Sequence, residues 1–238
     1  MSYLRATLHP WASLVFVLPL LVLYEGGVLV LSRDNPDALR NGADAWVRWF
    51  LGRYGLGTLW AAPVAVAVYL TGRAYLNRRD RPTEPLAVGF GMAIESVLFA
   101  VGLWAVAHNF RPLLDRAGLP VNAVTFNTPA AGQLITFVGA GIYEEFLFRV
   151  LAFGGLCLLL RLVLLPKLLA VGVAAVASAV LFASAHHFGP AGEAIEPAKF
   201  LFRAAAGLYF TALYVFRGFG VAIGAHAGYD ILVGVSVG

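Results

Sequence analysis

The sequence predicts an all-α membrane protein, a polytopic bundle of about seven transmembrane helices around a polar intramembrane cavity. Of its 238 residues 60% are hydrophobic and 13% charged, and the mean hydropathy is +0.79. That is more apolar surface than a soluble domain of this length can use. Apolar runs recur at 11–31, 56–76, 86–108, 131–160, 168–187, 199–216 and 219–237, separated by short polar stretches. A helix of roughly 20 apolar residues crosses the hydrocarbon of a bilayer. Ionisable residues nevertheless lie inside several of these runs, and at membrane depth each needs a partner or a wet cavity. The economical reading is one membrane domain, 1–238, with N-terminal helices and an interfacial segment in 1–130 and chemistry-bearing helices in 131–238.

The first run, Trp11 to Leu31, is too long for the core of a cleaved signal peptide, and no small-x-small site follows it. After it, Trp46, Val47, Phe50, Leu51 and Tyr54 share one helical face, with Arg48 and Arg53 elsewhere. That pattern suits a helix lying in the membrane interface, the alternative being an ordinary surface loop. The net charge of +4 does not indicate nucleic acid, because residues such as Arg73, Arg78, Arg79 and Arg81 lie between apolar runs and read as topology signals. If 131–160 is one long helix, Arg78, Arg79 and Arg81 share a side with Arg161, Lys167 and Arg217. The positive-inside rule makes that side cytoplasmic, together with the N-terminus. His186 would then sit near the outer end of its helix while His226 lies within about 10 Å of the inner end, which demands helix tilt or a shifted boundary. Cys157 is the one cysteine, so neither an internal disulfide nor a thiolate metal cluster is available. In the last run Gly220, Gly224 and Gly228 recur every fourth residue and suit close backbone packing, with His226 and Asp230 on the opposite side.

Three elements carry candidate chemistry. In Tyr143-Glu144-Glu145-Phe146-Leu147-Phe148-Arg149, Glu145 and Arg149 lie one turn apart and can neutralise each other. Glu144 is left without a cation from its own motif, so it is either a general base or a protonated group hydrogen-bonded to another helix. In Phe182-Ala183-Ser184-Ala185-His186-His187 the two histidines point about 100° apart on a helix, so at most one faces a shared site. In His226-Ala227-Gly228-Tyr229-Asp230 the spacing of four stacks imidazole and carboxyl on one face, either as a site or as a pair that resolves its own burial.

The order EExxxR, FxxxH, HxxxD, each within an apolar helix, resembles the CPBP family of CAAX proteases and bacteriocin-processing proteins, which includes the Rce-type CAAX endopeptidases. The resemblance runs from about residue 130 to the C-terminus and leaves the first three helices uncovered. It implies an intramembrane glutamic endopeptidase that cuts a membrane-associated protein or peptide, in a bacterial cell membrane. By resemblance Glu144 and His186 activate a water, while His226 and Asp230 line the oxyanion site. Glu145, Arg149 and Phe182 support the site, and no metal or other cofactor is expected. The CAAX-type enzymes usually carry Asn at the place of Asp230. An ionised aspartate would repel an oxyanion, so Asp230 is expected either to be protonated or, as the favoured reading, to act indirectly by holding His226 as a donor.

Two other readings compete. Glu144, His186 and His226 could ligate zinc in a metal-dependent protease, although no HExxH occurs. The same buried acids and histidines could form the relay of a proton-coupled transporter, although no internal repeat is evident. Glu25 and Glu95 are further acids within apolar runs, expected to pair with histidine or arginine across helices or to hydrate a substrate path.

Overall fold

The computed structural model describes residues 1–32, 35, 39–56, 60–116, 130–188 and 192–236. Among these residues the chain is helical with no strand: α1 (Tyr3–Thr7), α2 (Pro10–Leu31), α3 (Gly42–Gly52), α4 (Ala61–Leu76), α5 (Pro85–Arg116), α6 (Ala130–Glu145), α7 (Gly154–Leu162), α8 (Lys167–Ala185), α9 (Pro197–Arg217) and α10 (Phe219–Ser236). A π-helix, Phe146–Phe153, joins α6 to α7 without a break. Each expected apolar run is therefore a helix, with 57–59 of the second and 237 of the last outside the described residues. Helices α2, α8, α9 and the first 26 residues of α5 are long and apolar enough to cross a membrane, and α4 and α10 are shorter apolar helices. Side chains such as Phe90 (71% exposed) and Leu168 (88% exposed) cover the outside of the bundle. Apolar groups outside and ionisable groups inside are what a hydrocarbon solvent selects. The chain is an integral membrane protein.

Helix ends follow local chemistry. Pro10 starts α2, and the His9 side chain accepts the N–H of Trp11. The Asn41 side-chain oxygen accepts the N–H of Ala43 at 2.7 Å and caps α3. Gly218 separates α9 from α10 with φ of 94°, and a Cβ there would stand 2.6 Å from the Thr7 carbonyl oxygen.

Helix α10 is the central rod, packed on α5, α6, α9 and α2. The glycine row of its outer face is used as its spacing suggests. A Cβ on Gly220, Gly224 or Gly228 would meet Met92, Ser96 or Ala100, which repeat every fourth residue along α5. On α6, a Cβ on Gly141 would lie 2.7 Å from the Ile223 carbonyl oxygen of α10. These two seams leave His226 facing α6.

The segment containing Trp46 is helix α3, not a loop. It buries Asp44 and Val47 against the bundle and exposes Trp46, Trp49 and Phe50. The depth difficulty between His186 and His226 is absent from the structure, because Nε2 of each lies 3.8 Å from the same Glu144 oxygen.

Candidate active site

Glu144 and Glu145 end α6, and adjacent helical positions diverge by about 100°. Their carboxyls therefore face different neighbours. Glu145 is fully buried and meets Arg149 at 3.0 Å, the one-turn pair expected from the sequence. Its other oxygen lies 2.8 Å from Nδ1 of His226. Arg149 is also fully buried, with its guanidinium 4.9 Å from the Phe182 ring centre and 5.7 Å from that of Phe210. Two aromatic faces and one carboxylate thus compensate a charge held away from water. The π-helix that contains Arg149 begins directly after Glu145, and Gly154 closes it by donating its N–H to the Arg149 carbonyl. Such widened turns re-aim side chains, and they concentrate at functional sites.

Glu144 faces a second set of partners. Its Oε1 accepts a hydrogen bond from the Asn41 side-chain amide at 3.0 Å. Its Oε2 lies 3.8 Å from Nε2 of His186 and 3.8 Å from Nε2 of His226. Both distances are too long for a direct hydrogen bond, and each suits one bridging water. Three helices, α6, α8 and α10, therefore bring Glu144, His186 and His226 together.

Each histidine is oriented by its other nitrogen. Nδ1 of His186 lies 2.8 Å from the Phe182 carbonyl oxygen. A carbonyl only accepts, so Nδ1 carries the hydrogen and Nε2 of the neutral ring offers a lone pair toward Glu144. His187 turns away, with Nδ1 3.0 Å from the Glu193 carbonyl and its ring stacked on Phe200. One histidine of the pair faces the site, as the 100° divergence requires. His226 is sandwiched differently: its ring stacks on Phe210 at 4.5 Å and meets Phe182 at 5.9 Å. Phe182 thus touches both histidines and Arg149, which gives the expected supporting residue a concrete place.

Asp230 departs from its expected part. Its Oδ2 lies 3.6 Å from Nε2 of His226, beyond hydrogen-bond reach, on the nitrogen that faces Glu144. The carboxylate that holds Nδ1, as a triad carboxylate would, is Glu145. The reason is geometric: one turn along α10 places Asp230 beside the open edge of the ring, whereas Glu145 approaches the other edge from α6. If Nδ1 donates to Glu145, Nε2 can donate too only when the ring carries both protons, and three carboxyl groups surround that charge.

Glu25 has the arginine partners that sequence reasoning left open. It lies 3.4 Å from Arg40 and 3.6 Å from Arg48, and it accepts the Tyr143 hydroxyl at 2.7 Å. Asp44 meets Arg40 and Arg48 at 2.6 Å each and accepts the Tyr24 hydroxyl at 3.0 Å. Glu95 pairs with Arg217 and accepts the Tyr3 hydroxyl at 2.8 Å. The site residue missed from sequence is Asn41. The available signal was the series Arg40, Asp44, Arg48 at spacing four, which marks a charged helical face directly after the first span.

Among the described residues no group of three His, Cys, Asp or Glu side chains has the geometry to hold a metal ion. A buried carboxyl, two oriented imidazoles and a buried ionic pair thus meet at one place in the helical bundle. Residues 126–232 match the family model described as type II CAAX prenyl endopeptidase Rce1-like. That segment is similar to the Rce1-like CAAX endopeptidases, and residues 1–125 lie outside the match. No curated protein sequence and no solved structure matches the chain.

Proposed function

We propose that the chain is an intramembrane glutamic endopeptidase acting on a membrane-associated protein or peptide, with Glu144 as general base. The observation that carries this reading is the position of Glu144 Oε2, 3.8 Å from an imidazole nitrogen on each of two other helices. A water among these groups gives its proton to Glu144 as its oxygen bonds to the scissile carbonyl carbon. The lone pair on Nε2 of His186 orients that water. The carbonyl oxygen becomes an oxyanion facing Nε2 of His226, which donates from the doubly protonated ring whose Nδ1–H is held by Glu145. The C–N bond then breaks as the proton passes to the leaving nitrogen. Asp230 balances the charge on His226.

We place the basic end, with Arg78, Arg79, Arg81 and Arg217, on the cytoplasmic side of a bacterial cell membrane, together with the N-terminus. The CAAX endopeptidase description that the matching family carries supports a membrane-associated protein or peptide as substrate.

The test compares the C-termini of membrane-associated proteins in cells carrying the unaltered chain, Glu144→Gln or His186→Ala. A set of shortened termini that vanishes in both variants, while each variant inserts at normal abundance, is the expected result. Termini indifferent to Glu144 would remove the peptidase reading.

A further inference from the structure

We propose that Asn41, which lies outside the family-matched segment, is a positioning residue: its side-chain amide holds one oxygen of Glu144 so that the other faces the two histidines. This rests on Glu144 as the base and adds what aims it. The amide donates to Glu144 Oε1 at 3.0 Å across 103 residues of chain. A carboxylate with one oxygen pinned loses rotation about its last bond, and here the remaining oxygen is the one 3.8 Å from both Nε2 atoms.

Asn41 is itself held on three sides. Its side-chain oxygen caps α3 through the Ala43 N–H at 2.7 Å, which also fixes which end of the amide points at Glu144. Its backbone N–H donates to the Tyr24 hydroxyl at 3.1 Å. The carbonyl of Leu39, two residues earlier, accepts the Thr136 hydroxyl of α6 at 3.1 Å. Glu25 then ties the two strands of this arrangement together, because it accepts from Tyr143, the neighbour of Glu144, and pairs with Arg40, the neighbour of Asn41. The N-terminal half therefore supplies a rigid donor to the base, in the way that outer partners orient catalytic groups elsewhere.

Substitutions separate the donor from the cap. Asn41→Ser and Asn41→Asp both keep an oxygen able to cap α3, but neither presents the amide N–H to Glu144. The rate at which Glu144-dependent termini accumulate is expected to fall about 10- to 100-fold in each, with the Asn41→Ser protein unfolding at the unaltered temperature. Asn41→Asp sets two carboxyl groups face to face and lowers Tm. Combining it with Glu144→Gln restores that Tm, because the Gln amide donates to the new carboxylate, while cleavage stays absent. Unaltered cleavage by Asn41→Ser, or no recovery of Tm in the combined variant, would overturn the proposal and leave Glu144 as the base. If Glu144→Gln alone cleaves normally, the peptidase reading and this inference fall together.

Discussion

Among the described residues two pairs of buried carboxyl groups, Glu25 with Asp44 and Glu144 with Glu145, are satisfied by different chemistry. Glu25 and Asp44 share Arg40 and Arg48 at 2.6–3.6 Å and take two tyrosine hydroxyls besides. Glu144 and Glu145 share His226, and only Glu145 has an arginine. A carboxylate locked by guanidinium groups has no capacity left for a proton in transit, and it serves to hold helices together. A carboxyl bordered by imidazoles at water-bridging distance can take a proton and release it. On the proposed reading, the same residue type at similar burial is structural at one centre and chemical at the other, according to its cations. Tyr143, which donates to Glu25, and Asn41, which donates to Glu144, join the two centres.

The comparison breaks most sharply at the glutamates. Glu144→Gln is expected to lower cleavage about 10²- to 10⁴-fold, the usual worth of a positioned general base, with little change in Tm. Glu25→Gln should do the opposite, costing stability first and rate only as far as Tyr143 and Arg40 shift. Equal loss of rate with equal stability in both would erase the distinction between the centres.

Breaking either ionic centre by removing its cation should destabilise strongly. Arg149→Met strands Glu145, and Arg40→Met strands part of the charge on Glu25 and Asp44. Each is expected to cost about 3–5 kcal/mol, as for a buried pair that loses one partner. Unfolding in detergent measures both. A neutral Arg149→Met would mean that the aromatic sandwich, not the Glu145 pair, dominates there.

A gentler probe is steric. A Cβ on Gly139 would stand 2.1 Å from the Tyr24 ring, so Gly139→Ala must displace the tyrosine that holds Asn41 and Asp44. Overpacking of this kind costs about 1–3 kcal/mol, and cleavage should fall along with stability.

The smallest effects come from metal and acid. Chelation of divalent ions is expected to leave cleavage unchanged, and chelator-sensitive cleavage with stoichiometric zinc would replace the general base by a metal centre. Outside the membrane, burial raises the Glu193 carboxyl, but the hydrogen bond and charge of Arg203 outweigh it and hold the group below its ordinary range. Because the folded value is depressed, the contribution of this pair is present above the unfolded value. It is lost only as pH falls through the depressed one. Glu193→Gln should therefore remove part of the acid limb of the stability profile and nothing near neutrality.

The sequence by itself determined the rods and their chemistry. Apolar length and periodicity are local properties, so each span from Trp11 onward was legible. So were the one-turn pair of Glu145 with Arg149, the divergence of His186 from His187 and the glycine face of α10. Tertiary structure decided which carboxylate meets which ring. Nothing local to Asp230 says that Glu145 reaches Nδ1 of His226 first, and nothing near Glu144 points to Asn41. Those contacts depend on helix depth, on the π-helix after Glu145 and on close approaches at Gly139 and Gly141. Hydrogen-bond partners across such distances in the chain are fixed by packing in three dimensions, and a residue's neighbours along a helix carry no record of them.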